Sequence, residues 1–487
     1  MNLEALLTFC GLLAAAVAIM GTVQRKALLL FVPKWLVPGL SCGALILLVM
    51  RDAPFGVPPL FGWRLDLVTY FLGLGSFLLP VGSAIIAWWF WWRARLSSRN
   101  LPYFEVFLHA ALREGEFDEV ERVLRKNRDT LTNIPPNAAT VLFSPRLVHQ
   151  MVGTYSFIHL ELLACRPFLE SLDNRLQAVD TVVRELLMAE SSPLQSAVVK
   201  RFGGIEHLQY TDLDKKLIES TFEDPNWYHD TYAHYPLIIT VMNAIEGGTL
   251  DAAYNRVDEN YVATQGISKR ARCPLFLAIK TEVMALQAAV DAGSEEDFYI
   301  SDLWQIVQKI YSRSRYDVVA ARSTLGIYDP YTPYSFLLNE IMDDFENLTG
   351  EAVRKSIEKD KDASKCAKPT RTGEELVRFW FLSIWELMER TDGINPAHLD
   401  SIVERYFRFM FALGWQPSEV LAAPGQSAPN LNAWRDLLCS QIKDSTIIKS
   451  GHFTALHRVF GHLDRGKPFI SDGYEWLKSQ LQPQLFP

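Results

Sequence analysis

The stretch LVTYFLGLGSFLLPVGSAIIAWWFWW, Leu67 to Trp92, carries no charged residue and closes on Trp88, Trp89, Phe90, Trp91 and Trp92. It exceeds the ~20 apolar residues that an α-helix needs to cross a hydrocarbon core. Rings of that kind suit the headgroup boundary. The stretch therefore predicts a transmembrane helix and makes the protein an integral membrane protein.

Working outward from it, two further apolar runs precede it. Leu3 to Val23 holds one charge, Glu4. Ala27 to Met50 is interrupted in its first half by Pro33, Lys34 and Pro38, and Lys34 can snorkel to the headgroups. The expectation is three spans, near 3–23, 27–50 and 67–92, in a membrane domain of residues 1–99. The second run has an alternative reading as a short or re-entrant insertion. A cleaved signal peptide is the alternative for the first, since Ala14, Ala15 and Ala16 resemble small cleavage-site residues. Signal peptides carry their positive charge before the apolar run, whereas Arg25 and Lys26 follow it, so retention is expected.

Orientation follows from the basic residues. Arg25, Lys26 and Lys34 flank the first loop and Arg93, Arg95 and Arg99 follow the third run, so both sites are expected on the cytoplasmic side. This predicts a multi-pass membrane protein with its N-terminus outside and its C-terminal body in the cytoplasm. Small residues at four-residue spacing, Ala14 and Ala18, then Gly39 and Gly43, are candidates for close helix–helix packing within one chain or between chains of a homo-oligomer.

Beyond residue 99 the character changes. The net charge of -8 divides into +5 for residues 1–99 and -13 for the rest. An acidic body argues against binding nucleic acid over its whole surface. Phe104, Phe107, Leu108 and Ala111 form one helical stripe, Gly115 interrupts it, and Phe117, Val120, Val123 and Leu124 form the next. This helical hairpin resembles one unit of a tetratricopeptide-like array, although no period of about 34 residues follows.

Helices are expected at 172–190, 235–246, 250–262, 274–292, 301–314, 334–348, 374–390, 396–413 and 434–442. Strand alternation is scarce. The fold class is therefore mainly α, with three N-terminal transmembrane helices before an all-helical cytoplasmic region: a domain at 100–354, a solvated linker at 355–372 rich in lysine around Pro369, and a C-terminal subdomain at 373–487.

No catalytic or cofactor signature emerges. There is no phosphate-binding G-x-x-x-x-G-K-[ST] and no G-x-S-x-G, and the six cysteines are scattered without a C-x-x-C pair, which reads as reduced thiols. His452, His457 and His462, like His229 and His234, are five residues apart, a step of roughly 140° around a helix, so neither set makes an i, i+4 ligand pair. Packing or exposure explains them better than a metal. Lys269, Arg270 and Arg272, with Arg313 and Arg315 beside Tyr311 and Tyr316, are candidates for nucleic-acid contact, against a plainer reading as solvated helix ends.

In overall layout, and in the stretch DFYISDLWQIVQKIYSRSRYD from Asp297 followed by YDPYTPYSFLLNEI from Tyr328, the chain resembles transmembrane effector proteins of bacterial retron antiphage systems. The resemblance implies an abortive-infection effector acting on inner-membrane lipid. It further implies that a reverse transcriptase and its RNA-linked DNA restrain the effector until phage interference releases it. No residue role carries over from the resemblance. A non-catalytic scaffold or assembly subunit of a secretion or envelope complex explains the same architecture. An enzyme with an unrecognised site would centre on the stretch NWYHD, Asn226 to Asp230.

Overall fold

A computed structural model describes residues 19–32, scattered positions between 39 and 96, and most of 100–481. It leaves out 1–18, 33–38, 51–69, 210–217, 248–273, 325–332, 360–365, 390–395, 416–429, 445–449, 463–467, 482–487 and shorter gaps. Two compact units divide the chain, residues 1–185 and 186–487. The chain is mainly helical.

In the first unit, the expected hairpin forms as α2 (Leu101–Glu114) and α3 (Phe117–Lys126), and Gly115 makes the turn with φ 76°. That left-handed conformation is open to glycine without the strain a Cβ brings. The stripe residues Phe104, Phe107, Leu108, Ala111, Val120, Val123 and Leu124 are all buried. Each large side chain among them contributes roughly 1.5–3 kcal/mol of apolar burial.

Part of that burial comes from an earlier segment. Helix α1 (Thr22–Phe31) packs on α2 and α3, burying Val23, Ala27, Leu30 and Phe31 while Gln24 and Arg25 face outward. The apolar run from Ala27 first serves as a packing stripe against the hairpin, because residues 23, 27, 30 and 31 share one helical face.

The described positions between 39 and 50 and between 70 and 89 are helical. A Cβ on Gly43 would lie 3.5 Å from Leu79 Cδ1, and one on Gly75 would lie 3.2 Å from Leu47 Cδ1. As one segment advances from 43 to 47 the other retreats from 79 to 75, so the two run antiparallel in contact. Among the described residues no helix is long and apolar enough to cross a membrane. The expected span at 3–23 lies outside the described residues except for its last five positions, and those at 27–50 and 67–92 are described only in part.

The first unit continues through α4 (Pro136–Leu142), α5 (Pro145–Tyr155), α6 (Phe157–Ala164) and α7 (Arg166–Glu170) to α8 (Arg175–Met188), within which the boundary falls. His159 is wholly buried beneath this group. Its Nε2 lies 3.0 Å from the Leu142 carbonyl, and burial holds its pKa down to about 4, which keeps it neutral.

The second unit opens with a feature that the all-helical expectation excluded. Strands β1 (Val198–Phe202) and β2 (Ile205–Gln209) pair antiparallel, Val198 opposite Gln209 and Phe202 opposite Ile205. The intervening dipeptide Gly203-Gly204 is the sequence signal for a two-residue hairpin connection.

Helices follow as α9 (Pro225–Thr231), α10 (His234–Gly247), α11 (Pro274–Asp291), α12 (Ile300–Thr324) and α13 (Pro333–Lys359). The rest are α14 (Arg371–Glu389), α15 (Pro396–Trp415), α16 (Asn432–Asp444), α17 (Ser450–His462) and α18 (Pro468–Leu481). Within this unit α13 packs on α11, α12, α14 and α15, and α15 on α16, α17 and α18. The expected linker lies inside the unit: Lys355 to Lys359 complete α13, residue 366 bridges to Asn430, and α14 begins at Arg371.

Candidate functional site

The densest chemistry gathers where α9, α10, α11 and α12 meet. Asp224 caps α9, its Oδ1 accepting from the backbone of Asn226 at 3.0 Å and Trp227 at 3.2 Å, and Pro225 occupies the first turn. Capping of this kind stabilises a short helix by ~1 kcal/mol. The helix ends at Tyr232, whose φ of 52° and ψ of 38° are left-handed, the one positive φ among the described non-glycine residues.

That reversal sets aside the geometry expected for His229 and His234. A five-residue step on a continuous helix would point them apart. Because Tyr232 breaks the helix, both rings come to Tyr299: His234 stacks on it with centroids 3.3 Å apart and His229 lies 6.0 Å away at 27°. His229 also stacks on Tyr232 at 6.4 Å.

Beneath these rings lie two buried carboxyls. Tyr228 Oη donates to Glu282 Oε2, while Glu282 Oε1 and Asp302 Oδ2 are buried without a hydrogen-bond partner. Burial, and then the charge of Asp302, push Glu282 well above the usual carboxylate range. Burial pushes Asp302 up to about 7, opposed by the Ser301 hydroxyl. Burial and then the charge of His229 pull His234 down to about 4. At neutral pH the site thus holds a half-titrated Asp302 and a neutral His234, beside a Glu282 carboxyl whose burial favours the uncharged form. Proton exchange and attraction of a cation are the chemistry such a pair offers. Among the described residues no group of three or more His, Cys, Asp or Glu could hold a metal ion.

The second histidine set separates as its spacing predicts. His452 is buried, stacked on Trp385 at 4.3 Å with its Nε2 3.0 Å from the Trp385 carbonyl, whereas His457 is exposed. His452 is a packing residue.

Of the sequence-derived candidates, Gly43 lies against Leu79 of its own chain, and Gly39 is an exposed helical position. Ala14, Ala18, Lys269, Arg270 and Arg272 lie outside the described residues. Arg313 and Arg315 lie past the midpoint of α12, and their side chains are outside the description. Glu282, Asp302 and Tyr299 are not among those candidates. Nothing in their local pattern marks them, since only the packing of separate helices brings them together. Comparison of the chain with protein-family models, curated proteins and solved structures finds no match.

Proposed function

We propose that the chain is a membrane-anchored effector of a bacterial antiphage system of the retron type, restrained by cytoplasmic partners and acting on the inner membrane when released. The observation that carries the membrane part of this reading is the antiparallel helical pair. Gly43 and Gly75 set its inner contacts, and Ile46, Val49, Tyr70, Leu78 and Ile85 are exposed on it. Water disfavours such a display of large apolar side chains, and lipid accepts it.

The antiparallel course also supports the orientation read from charge. A chain that leaves after α1 and returns before α2 has both of those helices at the same end of the pair, and the packing of α1 on α2 suits that arrangement. The retron assignment, with a reverse transcriptase and its RNA-linked DNA as partners, rests on the resemblance described above.

The test is phage challenge of cells carrying the chain with and without its neighbouring genes, read with a voltage-sensitive dye. Depolarisation on release of the restraint is expected, and Ile46→Lys with Leu78→Lys should abolish it. An intact potential throughout growth arrest overturns the reading. Neighbouring genes for secretion components, together with an unchanged potential, would favour the scaffold.

A further inference from the structure

The rings of His229, Tyr232, His234 and Tyr299 make a continuous shelf on the second unit, independent of the membrane segments. Its outer members are accessible: Tyr232 is 48% exposed, and the neighbouring Tyr235 is 58% exposed. Tyr232 holds its place at a conformational cost. A left-handed residue with a Cβ is disfavoured, and glycine or asparagine would end α9 there more easily. An observed outlier of this kind at a surface points to use of the side chain itself.

The charge around the shelf is negative. Asp230 stands at its rim with 63% of its side chain exposed, 3.8 Å from His229 Nδ1. Asp302 lies below, with its Oδ2 buried and unpartnered. Aromatic faces beside carboxylates match a planar cation that stacks and donates a fork of hydrogen bonds, which is the chemistry of guanidinium. A nucleic-acid strand would meet the same rings, but its phosphates would be repelled by the carboxylates. A lysine ammonium would find the charge but has no plane to stack.

We propose that this shelf docks an arginine side chain from a basic segment of a protein partner. The guanidinium lies on the Tyr232 and Tyr299 rings and pairs with Asp230, and Asp302 adds attraction from beneath.

The test uses the full chain in detergent micelles and fluorescein-labelled peptides of alternating glycine and arginine, or of glycine and lysine, followed by anisotropy at physiological salt. The arginine peptide should bind about tenfold more tightly than the lysine peptide. Tyr232→Gly should weaken it about tenfold without lowering the melting temperature, because glycine relieves the left-handed strain. Tyr232→Asn, which also tolerates that conformation, should do the same. Asp230→Asn should weaken binding, while Asp436→Asn, at a remote exposed carboxylate, should not. Equal binding of the two peptides, full binding by both Tyr232 variants, or preferential capture of a single-stranded oligonucleotide by the shelf would overturn the assignment.

Discussion

Lys280 Nζ lies 2.7 Å from Asp344 Oδ2 and 3.1 Å from Glu340 Oε2, joining α11 to α13 with all three side chains buried. Burial alone would lower the lysine pKa, but the two carboxylates outweigh it and leave the pKa raised, so the ammonium stays charged. Lys280→Met leaves Glu340 and Asp344 facing each other in a dry interface. Loss of one partner of a buried pair costs about 3–5 kcal/mol. Thermal denaturation of the purified chain in detergent should show that loss. Combining Lys280→Met with Glu340→Leu and Asp344→Leu should recover most of it. A melting temperature unchanged in Lys280→Met would remove the triad from the account of stability.

Asp302 gives the body a pH dependence of defined sign. Its carboxyl is raised to about 7 against an ordinary value of 3.8, so between those values the folded chain keeps a proton that the unfolded chain has released. Stability attributable to this group is greatest in acid, falls as pH rises from about 4 to about 7, and is level above that. Glu282, also raised, adds to the fall. Urea titrations at about pH 5 and about pH 8 should show the wild type losing more stability between them than Asp302→Asn. Parallel behaviour of the two would mean that Asp302 titrates normally.

The sequence is legible where a helix is long enough for its period to repeat. Helices α11, α14 and α15, of 18 to 20 residues, fall within a few residues of expectation because their apolar stripes recur over several turns, and the shorter α2 and α3 do so because Gly115 marks the turn between two matched stripes. Helices α4 to α7 run 5–11 residues each, too short for several turns of a stripe, follow one another without a glycine turn like Gly115 to mark them, and no expectation covers them. The β-hairpin is hidden because its strands are five residues long and carry Lys200, Arg201, Glu206 and His207 among the apolar ones. The aromatic shelf is hidden for a different reason. The NWYHD stretch stands out, but the five-residue spacing of its histidines is informative only on one continuous helix, and nothing local announces that a tyrosine takes the left-handed position. Glu282 and Asp302 are ordinary letters on two helices until packing deprives both of water.

Gly75 admits Leu47 because it has no side chain: a Cβ there would come within 3.2 Å of Leu47 Cδ1. Gly75→Ile should therefore force the helical pair apart at about 1–3 kcal/mol, and Gly43→Ile, facing Leu79, should act in the same direction with a smaller effect. If these glycines serve packing within one chain, chemical crosslinking between chains should be unchanged while protease resistance of the pair falls. Loss of intermolecular crosslinks at unchanged protease resistance would move the glycines to a chain–chain interface.

Helix α1 provides a link from the helical pair to the body, and Ala27 is where it can be cut. Ala27 is fully buried in the packing of α1 on α2 and α3, whereas Arg25 beside it is exposed. Ala27→Asp puts an unpaired carboxylate into an apolar contact, which costs more than the ~1–3 kcal/mol of an unsatisfied neutral group. The expected outcome is release of α1 with the hairpin still folded, since Phe104, Phe107, Val120 and Val123 retain their contacts between α2 and α3. Trypsin should then cut at Arg25 and Lys26 several-fold faster, with little change in helical circular dichroism. Were cleavage unchanged, α1 would not be held by this face. Were the whole first unit to unfold instead, α1 would be an integral part of its core and not a separable tether.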